Sequence, residues 1–220
     1  MSRRIGFRYM HSVGYGYPKL HPLACWYNSC ENLGTWSINA QIAAAITITD
    51  KKEGSGSLKL IRDESASGDL YAYPTGFVRC ANYFGFWAKY QPTLTGLGLV
   101  MISKERTSDN HWHKLRLRYR DAPYNDYVID HGAYDGDTAT WSGIIGSFDP
   151  NTWYWYEMYN SNGNLYLRQN GVILGSIAKD GVALDDTWNI ARLIVPDVYK
   201  LGTIWLDYWR LASLYEYPPT

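Results

Sequence analysis

WYWYEMYNSNGNLYLRQNGVILGSI, residues 153–177, carries two Asn-Gly pairs set among alternating side chains. Asn-Gly suits the type I′ turn of a tight hairpin, because both central residues of that turn need positive φ. The segment is therefore expected to form three antiparallel strands that turn at Asn162-Gly163 and Asn170-Gly171. A two-residue loop fixes the first register: Tyr156 opposite Gln169, Glu157 opposite Arg168, Met158 opposite Leu167 and Tyr159 opposite Tyr166. The second turn sets Leu167 against Leu174, Arg168 against Ile173 and Tyr166 against Gly175.

Side chains alternate between the two faces of a strand, so this register sorts the segment. Tyr154, Tyr156, Met158, Leu165, Leu167, Val172 and Leu174 share one face, the expected core face. Trp153, Trp155, Glu157, Tyr159, Tyr166 and Arg168 share the other, with Glu157 and Arg168 complementary across the ladder. That second face is expected to carry its rings and ion pair toward water or a ligand.

The rest of the chain extends the same pattern. Strand-like runs lie at 46–49, 57–61, 84–90, 97–102, 112–120, 124–129, 189–195 and 203–211. Only 38–45 has any helical character, and its continuation into Ile-Thr-Ile-Thr reads equally as a strand. Many short strands with turn residues between them predict an antiparallel sandwich or barrel. At 220 residues it is expected to be one domain, 25–220, preceded by an irregular arm, 1–24, rich in Arg, Tyr, Gly and His.

Composition narrows the partners. Twenty-one basic residues balance 21 acidic ones, which removes the bulk-charge argument for a nucleic-acid or anionic-membrane partner. No stretch has the apolar length of a membrane span, and no secretory signal is expected because the basic start lacks an apolar run. Ten Trp and 20 Tyr exceed what one core requires. Such rings are suited to interfaces and flat ligands. Cys25, Cys30 and Cys80 leave an odd thiol whatever pairs; Cys25 and Cys30 could close a small loop, or all three stay reduced.

The order of motifs resembles concanavalin A-like lectins, glucanases and related carbohydrate-binding jelly rolls. The resemblance rests on CENLGTW at 30–36, on the glycine-serine strand GSGSLKL at 54–60, and on the closing strand TIWLDYWRL at 203–211. It covers roughly residues 25–214 and implies an all-β, antiparallel jelly-roll β-sandwich. Several domains of this kind hold one structural calcium between an opening Glu and a closing Asp. By that likeness Glu31 and Asp207 are the expected metal ligands, with carbonyls around 54–57 completing the set.

Glycoside hydrolases need an acid and a nucleophile close together, and no Glu-x-Asp-x-Glu strand occurs here. Asp135-Gly136-Asp137 and Asp185-Asp186 read as loops. Lys114, Arg116, Arg118 and Arg120 alternate with Leu115, Leu117 and Tyr119, placing a basic stripe on one strand face beside His111 and His113. The stripe reads as a solvated face that discourages stray pairing, or as a recognition surface for an acidic or sulfated glycan. The two imidazoles lack a third ligand nearby in sequence.

The expected function is therefore a non-catalytic, lectin-like carbohydrate-binding domain. Trp153, Trp155, Tyr159 and Tyr166 form the expected stacking platform, and Glu157 and Arg168 its hydrogen-bonding pair. The alternatives are a structural subunit of a virion, surface layer or other homo-oligomer assembled through the arm, and a polysaccharide-active enzyme. An extracellular or virion-surface location goes with either binding or assembly.

Overall fold

In the computed structural model, the residues described are 24–62, 68–76, 83–93, 98–106, 110–161, 163–178, 190–197 and 199–212. The expected arm, 1–24, lies outside them except for Ala24, which opens the first strand, and Asp185-Asp186 lie outside them too. Among the described residues, fifteen strands and one 3-10 turn, Leu33–Thr35, make up the regular structure. The strands are β1 Ala24–Asn28, β2 Trp36–Ile38, β3 Ile42–Thr47, β4 Ser57–Arg62, β5 Leu70–Pro74, β6 Tyr83–Gln91, β7 Leu99–Arg106 and β8 His111–Arg120. They continue as β9 Asp126–Asp135, β10 Ala139–Ser147, β11 Trp153–Ser161, β12 Asn164–Gln169, β13 Val172–Ala178, β14 Ile190–Val195 and β15 Thr203–Ala212.

Two antiparallel sheets face each other as a jelly-roll β-sandwich. The first runs β13-β12-β11-β6-β15-β4-β3, with β1 also paired to β15. The second runs β10-β9-β8-β7-β14-β5-β2. Between them lies a continuous core that includes Leu58, Phe84, Phe86, Val100, Leu115, Ile129, Met158, Leu167, Leu193 and Trp209. The segment 38–45, open between helix and strand in the sequence, is sheet at 42–47, where Ile42 alone is fully buried.

The opening segment takes its expected first register. Glu157 pairs with Arg168, Met158 with Leu167 and Tyr159 with Tyr166. Ser161 and Asn164 close the ladder around a two-residue loop whose Asn162 lies outside the described residues. At the second turn, Asn170 and Gly171 both have positive φ, 50° and 81°, as a type I′ turn requires. Beyond Arg168–Ile173 the pairing departs from expectation. Leu167 faces Gly175 and Tyr166 faces Ser176, because the register slips by one residue between Leu167 and Arg168. This bulge adds one residue to β13, which re-aims the strand. Val172, expected in the core, is 64% exposed, while Leu174 packs partly against it.

A second bulge shapes β15. Its ladder with β6 shifts between Asp207 and Arg210, and Tyr208 takes a positive φ of 48°. The extra residue lets Asp207, Tyr208 and Arg210 stay off the main core while Trp209 and Leu211 enter it. Trp209 then packs edge-on against Trp36 and Phe84, at 5.0 and 5.1 Å between ring centroids. Cys30 is a free, buried thiol, so the Cys25–Cys30 loop does not form.

Candidate functional site

The six residues expected to bind ligand do share one outer face of the first sheet, but half of that set is interior. Trp155, Tyr159, Tyr83 and Tyr208 form a second buried cluster, with Trp87 and Tyr166 packed against it. Glu157 is fully buried, Trp155 only 1% exposed, and Tyr159 stacks on Tyr166 at 5.0 Å. Tyr83 donates to Glu157 Oε1 at 3.0 Å, and burial pushes the Glu157 carboxyl above its ordinary range. The expected open platform is thus corrected: Trp155, Glu157 and Tyr159 hold the sheet's outer layer together. Trp153, Tyr166 and Arg168 are half-buried at its margin. Composition predicted excess rings but could not say which would be covered.

At the other end of the same face, the register lines up Trp153, Lys89, Trp205 and Lys59 across four strands. Lys89 Nζ lies 4.2 Å from the Trp205 ring centroid and pairs with Asp50. Lys59 caps Trp205 from the other side of the row at 5.4 Å. These cation–π contacts tie neighbouring strands together.

Asp207 and Glu31, the expected calcium ligands, meet one loop. Asp207 Oδ2 accepts from the backbone N–H groups of Lys52 and Glu53, at 3.0 and 2.8 Å. Glu31 Oε1 accepts from the Ser55 N–H. Burial, with Glu53 and Glu31 adding negative charge nearby, raises the Asp207 carboxyl to about 7. Glu53 is itself raised by burial, and its Oε2 has no partner. The carboxylate charge suits a hard cation, which would relieve the crowding. The loop, however, offers amides where carbonyls were expected, and no group of three His, Cys, Asp or Glu is assembled among the described residues.

The basic stripe on β8 lies on the outer face of the second sheet, and the structure surrounds it with groups the sequence did not connect. Trp112, Lys114, Arg116, Arg118 and Arg120 point outward and are half-buried; His111, His113, Leu115 and Leu117 point inward. The ladder sets Arg116 opposite Asp130 and Trp112 opposite Tyr134 on β9. Asp130 is fully buried and accepts from Arg116 Nε at 2.6 Å and Arg118 Nε at 3.1 Å. On the opposite flank Glu105 receives Arg192 Nη2 at 2.5 Å and Ser103 Oγ at 2.8 Å, with Lys114 Nζ 3.9 Å away. Burial lowers the Lys114 ammonium, and Glu105 opposes that shift.

Aromatic rings floor this face. Trp112 stacks on Tyr134 and meets Trp141, both at 5.7 Å. Lys114 lies 4.3 Å over Trp112 and the Arg116 guanidinium 4.1 Å over Trp141. Trp141 fits because its neighbour across the ladder is Gly132: a β-carbon there would stand 2.6 Å from the indole. Arg192 covers Tyr71 at 4.7 Å farther along. Trp141, Tyr134, Asp130, Glu105 and Arg192 were missed from sequence, although the β8 stripe marked the strand around which they gather.

Among the described residues, the inward imidazoles do not gather a third acidic or sulfur ligand. His113 Nε2 and His131 Nδ1 are 3.2 Å apart, leaving His113 Nδ1 and His131 Nε2 without partners. Lys104, directly opposite His113 in the ladder, donates to Asn160 Oδ1 at 2.7 Å. Burial lowers all three bases, His131 to about 4.

No protein-family model matches this chain, and no curated protein matches it. Solved structures do. Cellulose induced protein Cip1 aligns with 88% of this chain and 99% of its own at a TM-score of 0.62 and 16% identity. A carbohydrate esterase from Shiga toxin-encoding bacteriophage phi24B aligns over 86% and 97% at 0.59 and 12% identity. Bacillus licheniformis beta-glucanase aligns over 86% and 98% at 0.56 and 10% identity. At these identities the likeness shows the fold alone, and that fold is the antiparallel jelly-roll β-sandwich.

Proposed function

We propose that the chain is a non-catalytic carbohydrate-binding domain whose ligand lies across the outer face of the second sheet. The observation that carries this reading is the half-exposed floor of Trp112, Tyr134 and Trp141 interleaved with Lys114, Arg116 and Arg118. Aromatic surface receives the apolar side of a sugar ring, and donors around it receive hydroxyls. Neighbours described as a carbohydrate esterase and a beta-glucanase support the carbohydrate part of this reading. Binding without turnover is supported by the state of the two buried carboxylates on this face. Asp130 and Glu105 each serve as counter-ion to two cations, so neither is set up as a free acid or nucleophile.

Calorimetric titration with a panel of soluble polysaccharides tests the site. Trp112→Ala is expected to weaken binding by about tenfold or more, the loss usual for an aromatic anchor. Unchanged affinity in this variant, with loss in Trp153→Ala, returns the site to the first sheet. Release of reducing ends or of unsaturated sugars by the wild-type protein refutes the non-catalytic part.

A structural calcium held by Glu31 and Asp207 belongs to the same proposal. Its support is the convergence of Asp207, Glu31 and Glu53 on the 52–55 loop, where burial raises the Asp207 and Glu53 carboxyls. The alternative of self-assembly is favoured by another surface: Ile144, Val172 and Ile173 are 47%, 64% and 49% exposed. Molar mass in solution, compared between wild type and Ile173→Glu, tests whether a second copy covers them.

A further inference from the structure

We infer that the ligand of this face is an acidic polysaccharide, its carboxylate or sulfate groups received by Arg116 and Arg118. The inference rests on the second-sheet face being the carbohydrate site. Asp130 sits fully buried beneath the two arginines and engages Nε of each. Among the described residues, neither guanidinium has a hydrogen bond from its Nη groups. The carboxylate therefore fixes both planes from behind and leaves four Nη donors for the open side, where the two side chains are 20% and 30% exposed. A guanidinium with its terminal amines free is a bidentate fork for carboxylate or sulfate.

Charge counting on this face points the same way. Four cations, Lys114, Arg116, Arg118 and Arg192, meet Asp130 and Glu105, while Asp69 acts on Lys114 as well and Arg120 is matched by Asp126, leaving one positive charge. Glu105 and Asp69 balance Lys114 and Arg192, so the excess lies with the two arginines on Asp130. Lys114 and Arg192 lie on strands separated by β7, about 10 Å apart across the sheet, and Lys114 is about 7 Å from Arg116 along its strand. A neutral chain would leave this excess charge uncompensated. An acidic group on the polymer can meet it.

The test uses four polymers against the full chain: polygalacturonate, dextran sulfate, neutral dextran and inorganic polyphosphate. Tight binding of polygalacturonate or dextran sulfate is expected, weakening as salt rises. Arg118→Gln, which leaves Arg116 on Asp130, should lose about tenfold or more, and Trp112→Ala should lose a similar factor, with both melting temperatures near wild type. Preference between the two anionic glycans tells carboxylate from sulfate recognition. Dextran bound as tightly as either, with Trp112→Ala impaired, refutes acidic selectivity and leaves the carbohydrate site standing. Polyphosphate bound equally well, with Trp112→Ala unimpaired, makes the face a general polyanion surface and overturns both readings. No binding of any of the four, or binding indifferent to Arg118→Gln, also overturns the inference.

Discussion

Replacing His131 with Asn should change how the fold responds to acid, and the size of the change can be worked out. His131 is wholly buried, and its Nδ1 meets His113 Nε2 at 3.2 Å. Asn keeps a polar atom near the Nδ1 position and removes a titrating base. Burial lowers the His131 pKa from 6.5 to about 4. Between those values the unfolded chain binds the proton and the folded chain does not, so stability rises with pH across the window and is lost on acidification. Two and a half pH units correspond to about 3 kcal/mol. Asp207 works in the opposite sense: its raised carboxyl holds a proton in the folded state up to about pH 7, so its contribution is lost as pH rises from about 4 toward 7. The two terms oppose each other, and wild type alone hides both. The difference between wild type and His131→Asn cancels Asp207. Urea unfolding followed by tryptophan fluorescence, from about pH 7 down to about pH 4, should show that difference moving by about 3 kcal/mol against wild type. A difference that stays constant with pH would refute the buried neutral imidazole.

Other expectations follow from the same contacts. Trp155→Ala should lower stability by about 3–5 kcal/mol, the range for emptying a buried Trp site, while leaving glycan affinity unchanged; thermal melts and calorimetry on one sample separate the two. Calcium should raise the melting temperature, and more at about pH 8 than at about pH 5.5, because Asp207 must release its proton to bind metal; equal shifts at both pH values, or persistence in Asp207→Asn, count against the site. Gly132→Ala pushes a β-carbon into Trp141 and should weaken binding more than it lowers the melting temperature; a variant that binds as wild type shows the Trp141 position to be immaterial.

What could be read from sequence was local and periodic. Two Asn-Gly pairs and strict alternation placed Tyr156, Met158 and Leu167 in the core and set Glu157 against Arg168, as found. The bulge at Leu167/Arg168 escaped because a one-residue slip conserves the strand pattern while moving every partner beyond it. β10 escaped for a related reason: Gly143 has positive φ and the strand slips twice against β9, so ATWSGIIGS has no clean period. Trp141 went unread with it. Burial of Trp155 is a long-range property, set by packing over the sheet rather than by anything within residues 153–177.

The two outer faces show why rings alone do not identify a binding surface. Both carry Trp and Tyr beside charged groups. On the first sheet the buried centre holds Glu157 and Asp207 with the buried Arg210 in the same row as Glu157, and both carboxyls are raised by burial. Such groups strain against a dry environment, and the neighbouring rings close it off further. On the second sheet the buried carboxylates, Asp130 and Glu105, each have two cations in front of them. Their charge is more than matched, which leaves the outermost layer basic and half-exposed. An anionic glycan approaching the centre of the first face would meet covered rings, with the cations there engaged on Trp205, Asp50 and Tyr159; approaching the second, it would meet guanidinium edges fixed from below. The selectivity of this domain should therefore follow the position of the buried carboxylates rather than the density of aromatic residues. Arg118→Gln and Trp155→Ala, measured side by side, set these two explanations against each other.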